Sequence, residues 1–320
     1  MANETTTTTL NDLTHSSLIE PVMIAALSES PGIANFICRQ FNMLGLKSNA
    51  LSIPTETSWW GTAGQSAETG VDTEFDATEG TALGNTAMST GAVTLTCAEY
   101  GVAAAQTDNV AEDSVIDFFN HTMKRMLHVL TLAIDADLMV LFGSLSNTVG
   151  TTNTDLSIAN MISAHQGVRQ RGAITDSAVY VLDHYQAANL ETTLSAASTS
   201  VATYALSSDR LIGYAPTADH GLNSPLRHAM NFRGLPVFVS GLGTTANATV
   251  DVVGALVCAS SAVSDSSGAS TFGLGYKRLP RFEAQRQAKQ RATDLVMSAR
   301  AGVTELQDGS GCAVITNAAA

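Results

Sequence analysis

Charged and aromatic side chains are scarce in this sequence. Of its 320 residues, 14% are charged and 6% are aromatic, whereas about 25% of the residues of an ordinary globular protein are charged. Apolar residues reach 45%, which is enough for a core in a chain long enough for one large or two ordinary domains. A surface poor in charge and rich in small residues suits a protein that neighbouring molecules cover, although thin β-rich proteins have a similar composition.

Motifs that mark common enzymes and metal sites are missing. The four cysteines form no CxxC pair, and the sequence contains no HxxxH, HExxH, GxSxG or P-loop pattern. We therefore expect no catalytic residue, no cofactor and no metal site. Isolated thiols are typical of a reducing compartment, and MANETTTTTL at the start lacks the basic and apolar regions of a signal peptide. We expect a protein that is made and kept in the cytoplasm.

One glycine pattern is similar to a nucleotide-binding loop. GLGTTA at 241–246 follows a predicted strand and matches GxGxxA, whose glycines should open a helix in a dinucleotide site. The residues after it, NATVDVVGALV, are rich in β-branched side chains and favour a strand. We predict a hairpin turn here. The alternative is a soluble α/β enzyme that uses 156–275, with this turn as its ligand loop.

The most apolar run, LHVLTLAIDADLMVLFG at 127–143, is not predicted to span a membrane. It is shorter than about 20 residues and contains Asp135 and Asp137, which are costly at mid-bilayer. Because residues two apart point away from each other on a helix, these carboxylates do not form an acid–base pair. We expect them on a solvated or ion-paired face of a long helix.

That helix carries one continuous apolar stripe. Ser114 can cap its start and Gly143 is a natural stop, and a helix from Val115 to Phe142 would be about 42 Å long. The stripe residues recur at spacings of three and four and are expected to be buried; they are Ile116, Phe119, Met123, Leu127, Leu130, Ile134, Leu138 and Leu141.

The segments before the long helix predict a hairpin. ALSIPTE at 50–56 and the alternating GAVTLTCAEYGVA at 91–103 are strand patterns separated by about 34 residues. A compact domain rarely contains such a loop unless the loop binds something. Upstream, 17–30 and 31–45 predict two short amphipathic helices, after a flexible arm at 1–16.

The segments after the long helix alternate between strand and helix patterns over 156–275, as in an α/β domain. From 281 to 306 the chain has one glycine and no proline, and we predict one or two long strands there. A helix over 283–297 is the alternative.

Charge is distributed unevenly along the chain. Residues 1–120 contain fifteen acidic and two basic side chains, whereas 121–320 contain fourteen of each. Within the second part, 277–300 carries seven basic and two acidic residues, and we call it the basic strip. The overall charge of −13 argues against tight nucleic-acid binding, which requires neutralisation of phosphates.

The order of these segments resembles the major capsid proteins of tailed bacteriophages, which have the α+β Hong Kong 97-type fold. SVIDFFNHTMKRMLHVLTLAIDADLMVLFG is similar to the family's spine helix, EYGVAAAQTDNVAEDS to the approach to it, and VYVLDHYQAANL and FRGLPVFVS to segments of its axial domain. The long strands that begin at RFEAQRQAKQ are similar to the family's returning strands. The resemblance implies five parts: an N-terminal arm at 1–50, an extended β-hairpin loop at 51–102, a peripheral domain with the spine helix at 103–155, an axial α/β domain at 156–275, and peripheral return strands at 276–320.

The resemblance also implies a function and partners. It implies a structural protein, not an enzyme, that assembles as hexamers and pentamers into an icosahedral head around double-stranded DNA, without sequence-specific contact and without a membrane. Because no long N-terminal scaffolding segment is present, a separate scaffolding protein is implied, together with a portal and, in some relatives, decoration proteins. The implied location is the virion, after assembly in the host cytoplasm. An encapsulin-type compartment shell, which shares the fold, is the alternative.

Charge and resemblance together predict a contact between subunits. In the family the extended loop lies over a neighbour's peripheral domain, which would bring the acidic loop to the basic strip. The alternatives are that the strip pairs with its own subunit's carboxylates or meets DNA. The residues of the predicted contact are Trp59, Trp60, Glu68, Asp72, Glu74, Asp76 and Glu79 in the loop, and Arg278, Arg281, Arg286, Lys289 and Arg291 in the strip.

Overall fold

Two β-sheets and one long helix organise the chain. The computed structural model describes residues 4–5, 32–58, 89–113, 118–170, 178–197, 212–213, 227–246, 250–259 and 270–317. Its helices are α1 (Ile33–Ile37), α2 (Asp108–Asp113), α3 (Phe118–Phe142), α4 (Ile158–Gln170) and α5 (His184–Ala197). Its strands are β1 (Glu4–Thr5), β2 (Arg39–Asn42), β3 (Ala50–Ser58), β4 (Ser89–Thr96), β5 (Ala98–Thr107), β6 (Thr148–Val149), β7 (Ala178–Asp183), β8 (Ile212–Gly213), β9 (Arg227–Phe232), β10 (Leu235–Ser240), β11 (Thr244–Ala246), β12 (Asp251–Cys258), β13 (Phe272–Gln287), β14 (Ala292–Glu305) and β15 (Gly311–Asn317).

The first sheet has five strands in the order β1-β5-β14-β13-β2. Its centre is the antiparallel hairpin of β13 and β14, paired from Phe272 opposite Glu305 to Gln287 opposite Ala292. The prediction of long strands from 281 to 306 is therefore confirmed, and the alternative of a helix over 283–297 is wrong. Alternation decides this: Leu295, Met297 and Ala299 are buried on one face of β14, as the two-residue period of a strand requires.

Helix α3 packs against that buried face of the sheet. Its buried apolar side chains form a continuous face that winds along the helix; they are Met126, Leu130, Ile134, Leu138, Met139 and Phe142. Phe142 also packs against Phe272 of β13, with 5.6 Å between the ring centroids. The helix thus serves as the long brace of the sheet.

The sequence stripe and the buried face of α3 differ at the N-terminal half. Leu127 is 44% exposed, contrary to expectation, because the line of contact with the sheet passes through Met126 instead. Phe119 is 37% exposed, although its ring meets Phe282 edge-on at 5.6 Å. Met123 and Leu141 are partly buried against the same core, and Ile116 lies outside the described residues.

The second sheet has the order β6-β15-β12-β7-β10-β9-β8, with β11 paired to β12. Every residue of β7 and of β12 is buried, as is typical of strands covered on both faces. The final strand β15 joins this sheet, in register from Asp251 opposite Asn317 to Val257 opposite Gly311. The expected segment 276–320 is therefore divided between the two sheets, because the free edge of β12 takes β15 as its partner.

The glycine pattern at 241–246 forms a turn between strands. β10 ends at Ser240, and Thr244 to Ala246 pair antiparallel with β12, so no helix begins at these glycines. A Cβ at Gly243 would lie 2.6 Å from a carboxylate oxygen of Asp183. The prediction of a turn is confirmed, but it is not a hairpin turn, because β10 and β11 do not pair with each other. This turn lacks the helix start that would hold a dinucleotide.

A smaller hairpin, β3 with β4, leaves the body of the fold at residues 49 and 97. Its register runs from Ala50 opposite Thr96 to Ser58 opposite Ser89, and Cys97 donates its backbone N–H to the carbonyl of Asn49 at 3.0 Å. The buried side chains of Met43, Leu95 and Cys97 form a separate small core at this root. The residues between the strands, 59–88, lie outside the described part of the chain.

The segment around residue 37 departs from its prediction. Instead of one helix over 31–45, α1 ends at Ile37 and the chain continues as strand β2, parallel to β13 from Gly273 to Tyr276. The predicted helix at 17–30 lies outside the described residues. Within the described helices, none is long and apolar enough to cross a membrane.

Candidate functional site

The basic strip occupies the β13–β14 hairpin of the five-stranded sheet. Two irregularities in the strand pairing, between Tyr276 and Arg278 and between Arg278 and Arg281, interrupt the register. Pro280 lies in the second of them, where its missing N–H costs no regular ladder bond. Beyond the interruptions most of the strip is exposed, which leaves its charged side chains at the surface.

Three arginines of the strip have carboxylate partners in their own subunit. Arg278 contacts Glu99 at 2.6 Å, and Arg281 contacts Glu283 at 3.0 Å. Both terminal nitrogens of Arg286 bind Asp108, at 2.5 and 2.6 Å. These three side chains therefore pair within their own subunit, which is one of the alternatives that the sequence left open.

The pair of Arg286 and Asp108 fastens the tip of the long hairpin. Two hydrogen bonds from Arg286 lower the pKa of the Asp108 carboxyl below its ordinary value, and its charge acts in the same direction. The backbone N–H of Asp108 also binds the carbonyl of Arg291 at 2.9 Å. Because the pair is bidentate, both terminal nitrogens of the Arg286 guanidinium are already bound to Asp108.

A second group of cations lies at the other end of the strip, beside the root of the small hairpin. Lys277 donates to the carbonyl of Ser48 at 2.5 Å, and Arg300 donates to the side-chain oxygen of Asn49 at 2.7 Å. Arg278 and Arg300 are direct cross-strand neighbours. We call Lys277, Arg278 and Arg300 the root cluster. Lys277 and Arg300 bind the residues from which the small hairpin emerges.

The root cluster has hydrogen-bond donors without acceptors. The Nε atoms of Arg278 and Arg300 are buried and have no hydrogen-bond partner, although Arg278 also donates to the hydroxyl of Ser298 at 3.0 Å. Leaving a charged donor unsatisfied is costly, and adjacent like charges on neighbouring strands repel each other. In the isolated subunit the cluster therefore carries more positive charge than its partners balance.

The remaining residues of the predicted contact are located only in part. Lys289 and Arg291 lie at the exposed turn of the long hairpin, where Arg291 has a positive φ of 49°. The acidic and aromatic members of the predicted contact lie outside the described residues; they are Trp59, Trp60, Glu68, Asp72, Glu74, Asp76 and Glu79. Their pairing with the strip stays a prediction.

Asp135 contradicts its expectation of a solvated helix face. It is fully buried, and its two carboxylate oxygens accept the backbone N–H groups of Gly32 at 2.6 Å and Ala34 at 2.9 Å. Burial, and then the charge of Asp135, raise the pKa of the Cys38 thiol. The carboxylate fastens the start of α1 to the long helix.

Asp137, two residues further on, has the exposed position that was expected of both carboxylates. The hydroxyl of Tyr100 on β5 donates a hydrogen bond to it. Burial, followed by this hydrogen bond and the charge of Asp137, raises the pKa of Tyr100. The two aspartates therefore serve different neighbours, as their separation on the helix requires.

A buried amide that the sequence did not single out joins α5 to the second sheet. The Nε2 atom of Gln186 donates to the carbonyl of Val314 at 2.9 Å and to the hydroxyl of Thr316 at 2.9 Å. Its Oε1 accepts the backbone N–H of Asp183 at 3.2 Å. A buried polar group must be satisfied, and these bonds fix the last strand under α5.

Metal-binding chemistry finds no support in the described parts of the chain, where no group of three or more His, Cys, Asp or Glu side chains could hold an ion. The four cysteines are buried and unbridged. Burial raises the pKa of the Cys258 thiol to about 11, which keeps that thiol protonated and unreactive at neutral pH. The charged surface of the long hairpin is therefore the chemically distinctive feature of the described residues.

Comparison with known proteins identifies the fold. No family model matches the sequence, and no curated protein matches it. Solved structures match over almost the whole chain: one from Mycobacterium phage Che8 (TM-score 0.63, 14% identity, covering 95% of this chain and 97% of that one), the capsid of Cyanophage P-SCSP1u (0.64, 11%, 97% and 95%), and the capsid of Ralstonia phage GP4 (0.63, 8%, 95% and 96%). This mixed helix-and-sheet chain has the fold of phage capsid structures.

Proposed function

We propose that this chain is the major capsid protein of a tailed phage and that it has the Hong Kong 97-type architecture. It assembles as hexamers and pentamers into an icosahedral head that encloses double-stranded DNA. The observation that carries the proposal is the match in fold, which covers at least 95% of this chain and of each capsid chain just compared. Because sequence identity is below 15% in each of these matches, the proposal rests on fold and not on shared residues.

The proposed parts follow the chain, with one change from the sequence expectation. Residues 1–50 form the arm, β3 and β4 belong to the extended loop, and α3 is the spine helix of the peripheral domain. The axial domain contains 156–275 and also takes β15, since β15 pairs with β12. The peripheral domain is then completed by the long hairpin of β13 and β14.

The proposal includes partners and location. The subunit contacts copies of itself, and assembly uses a separate scaffolding protein, a portal and, in some heads, decoration proteins. Double-stranded DNA fills the head without sequence-specific contact. The location is the virion, after assembly in the host cytoplasm.

The proposal includes the contact between subunits that the sequence predicts. The acidic loop of one subunit lies against the basic strip of its neighbour, and Trp59 and Trp60 are anchors of that contact. Charged patches of opposite sign steer surfaces together, and salt screens them over about 10 Å at 0.1 M ionic strength. We expect assembly to slow as salt rises.

Electron microscopy tests the proposed function. Protein expressed together with its neighbouring head genes, which would supply the scaffolding protein, should yield closed shells. A protein that stays monomeric under every assembly condition would contradict the proposal. An encapsulin-type compartment shell is the second candidate, supported by the fold that it shares; a portal or terminase gene beside the coding sequence, and DNA inside the particles, would decide against it.

The structure does not support the alternative of a soluble α/β enzyme. It required the turn at 241–246 to act as a ligand loop, and this turn is closed by Asp183 and followed by β11. Calorimetric titration with dinucleotides should give no binding heat. Saturable binding of a dinucleotide would revive the enzyme reading.

A further inference from the structure

A small cavity lies where the hairpin of β3 and β4 meets the body of the fold. Its volume is about 140 Å³, and it is open to solvent on one side. Four separate stretches of the chain line it: Arg39 and Phe41 of β2, Ile53, Pro54 and Thr55 of β3, Ser270 before β13, and Leu306 and Gln307 after β14. A molecule in this cavity therefore touches both the small hairpin and the body.

One side of the cavity is apolar. Phe41 and Ile53 are partly buried against the small core at the root of the hairpin. Gly273 makes room for this packing, because a Cβ there would lie 2.9 Å from the ring of Phe41 and 3.1 Å from a methyl group of Leu306. A cavity of about 150 Å³ is large enough for a benzene ring. This side of the cavity therefore suits a ligand with an apolar body of that size.

The cavity has one charged lining residue, Arg39. The centre of its guanidinium lies over the ring of Phe41, 5.7 Å from the ring centroid. A guanidinium that lies over a ring uses its flat face, so the N–H donors along its edge stay available for a planar anion. Arg39 is exposed, and it forms no ion pair with any of the described residues. Its charge is therefore available to a ligand.

The charged and the apolar lining together favour one class of ligand. A single cation balances a single negative charge, and the edge of a guanidinium matches the two oxygens of a carboxylate. The hydroxyl of Thr55 and the amide of Gln307 add neutral hydrogen-bonding groups to the lining. A phosphate ion has no apolar surface with which to cover Phe41 and Ile53, whereas an organic carboxylate has one.

We propose that this cavity binds a small organic carboxylate whose apolar body is about the size of a benzene ring, with Arg39 binding the carboxylate and Phe41 and Ile53 covering the body. The bound molecule joins β3 to β2 and to the segment after β14, and so restrains the small hairpin relative to the body. Binding takes place within one subunit and does not depend on the proposed function. An effect on assembly does rest on that function, because β3 and β4 belong to the proposed extended loop.

Titration of the unassembled protein with benzoate tests the binding, followed by thermal unfolding and by saturation-transfer NMR. Benzamide has the same ring without the charge, and acetate has the charge without the ring and also controls for ionic strength. We expect benzoate to raise Tm saturably, with a Kd on the order of 1 mM for a ligand of this size, and the two controls to bind at least about fivefold more weakly. No saturable effect of benzoate, or equal effects of all three compounds, would overturn the proposal.

Two variants locate the bound benzoate. Arg39→Gln removes the charge and should weaken benzoate binding about tenfold, with a change under about twofold for benzamide. Thr55→Phe places a ring in the cavity and should abolish the binding of both compounds. Lys289→Gln removes a charge from the exposed turn of the long hairpin and is the matched control, with benzoate binding unchanged. Thermal unfolding without ligand verifies that the variants fold. Benzoate binding that is the same in all of these variants would contradict the proposed site.

Assembly measured by light scattering tests the restraint on the small hairpin. Benzoate at about ten times its Kd occupies most of the sites and should slow the assembly of wild type at least twofold, because a restrained hairpin reaches fewer orientations. The assembly of Arg39→Gln should not respond. A wild-type rate that does not fall when benzoate is bound would contradict the restraint. A protein that never forms shells would contradict the proposed function alone, because binding is measured on the unassembled protein.

Discussion

The carboxylate of Asp135 on α3 accepts the backbone N–H of Ala34 at 2.9 Å, although the two residues are 101 positions apart in the sequence. Through this bond and its companion from Gly32, the short helix α1 is attached to the middle of the long helix. The same segment reaches both sheets. Phe36 meets Phe238 of β10 edge-on at 5.3 Å, and Asn35 accepts the hydroxyl of Tyr276 on β13 at 2.8 Å.

Asp135→Asn should therefore destabilise the subunit. The amide loses the charge and places an NH₂ group against one of two backbone donors, and an unsatisfied buried donor costs about 1–3 kcal/mol. Urea unfolding followed by circular dichroism measures the change. Asp137→Asn is the matched control and should cost less than about 1 kcal/mol, since Asp137 is exposed. Equal losses for the two variants would contradict the role assigned to Asp135.

Leu130 and Leu127 should respond differently to truncation. Leu130 is 3% exposed, and its change to alanine leaves a cavity in the core between α3 and the sheet, at a cost of about 2–5 kcal/mol. Leu127 is 44% exposed, so Leu127→Ala should change the free energy of unfolding by less than about 1 kcal/mol. Unfolding of the unassembled subunit is the measurement. A large loss of unfolding free energy in Leu127→Ala would contradict the exposed position of Leu127 and would favour the buried position that the sequence predicted.

Alanine substitution should also have unequal effects on stability at two glycines in strands of the five-stranded sheet. A Cβ at Gly302 would lie 2.9 and 3.1 Å from backbone atoms of Thr96 and Cys97, whereas one at Gly101 would meet nothing closer than 4.0 Å. Gly302→Ala forces the root of the small hairpin away from β14 and should cost about 1–3 kcal/mol. Gly101→Ala should be neutral or slightly stabilising. Thermal unfolding compares the two, and a tolerated Gly302→Ala would show that the close approach is dispensable.

Acidic pH should remove the contribution of the Arg286–Asp108 pair to the stability of the fold. The pKa of Asp108 is lowered in the folded state from its ordinary value of 3.8, first by the hydrogen bonds from Arg286. A carboxyl with a lowered pKa stabilises the fold above its unfolded value, and this contribution is lost as pH falls through the lowered folded value. Wild type should be more stable than Arg286→Gln at neutral pH; the difference should shrink below the ordinary pKa and vanish below the lowered folded pKa. Urea midpoints across this range test the prediction; a difference that does not depend on pH would contradict it.

Local patterns predicted much of this fold. The three-and-four spacing predicted the long helix, the two-residue alternation predicted β4 and β5, and short apolar β-branched runs predicted β7, β10 and β12. These features depend on neighbours in the sequence, which is why they can be read from it. The exposure of Leu127 could not be predicted from the sequence. The spacing of the stripe allows either Leu127 or Met126 to face the sheet, and the strands of that sheet lie far along the chain.

Long-range partners account for the remainder. The burial of Asp135 depends on two backbone N–H groups near residue 33, and the only local signal was its place beside the apolar stripe. The transfer of β15 to the second sheet depends on the open edge of β12. For the candidate site, the sequence grouped the basic residues of the long hairpin but could not show that Arg286 has a bidentate partner in the same chain.

Cryo-electron microscopy of particles assembled from this protein tests the central claim most directly. The account predicts closed icosahedral shells of hexamers and pentamers. In each subunit the map should show α3 packed against the five-stranded sheet, with the acidic loop of one subunit on the basic strip of the next. A protein that remains monomeric under all assembly conditions would contradict the proposed function. Closed shells in which the acidic loops point into solvent, far from any arginine of a neighbour's basic strip, would contradict the intersubunit contact.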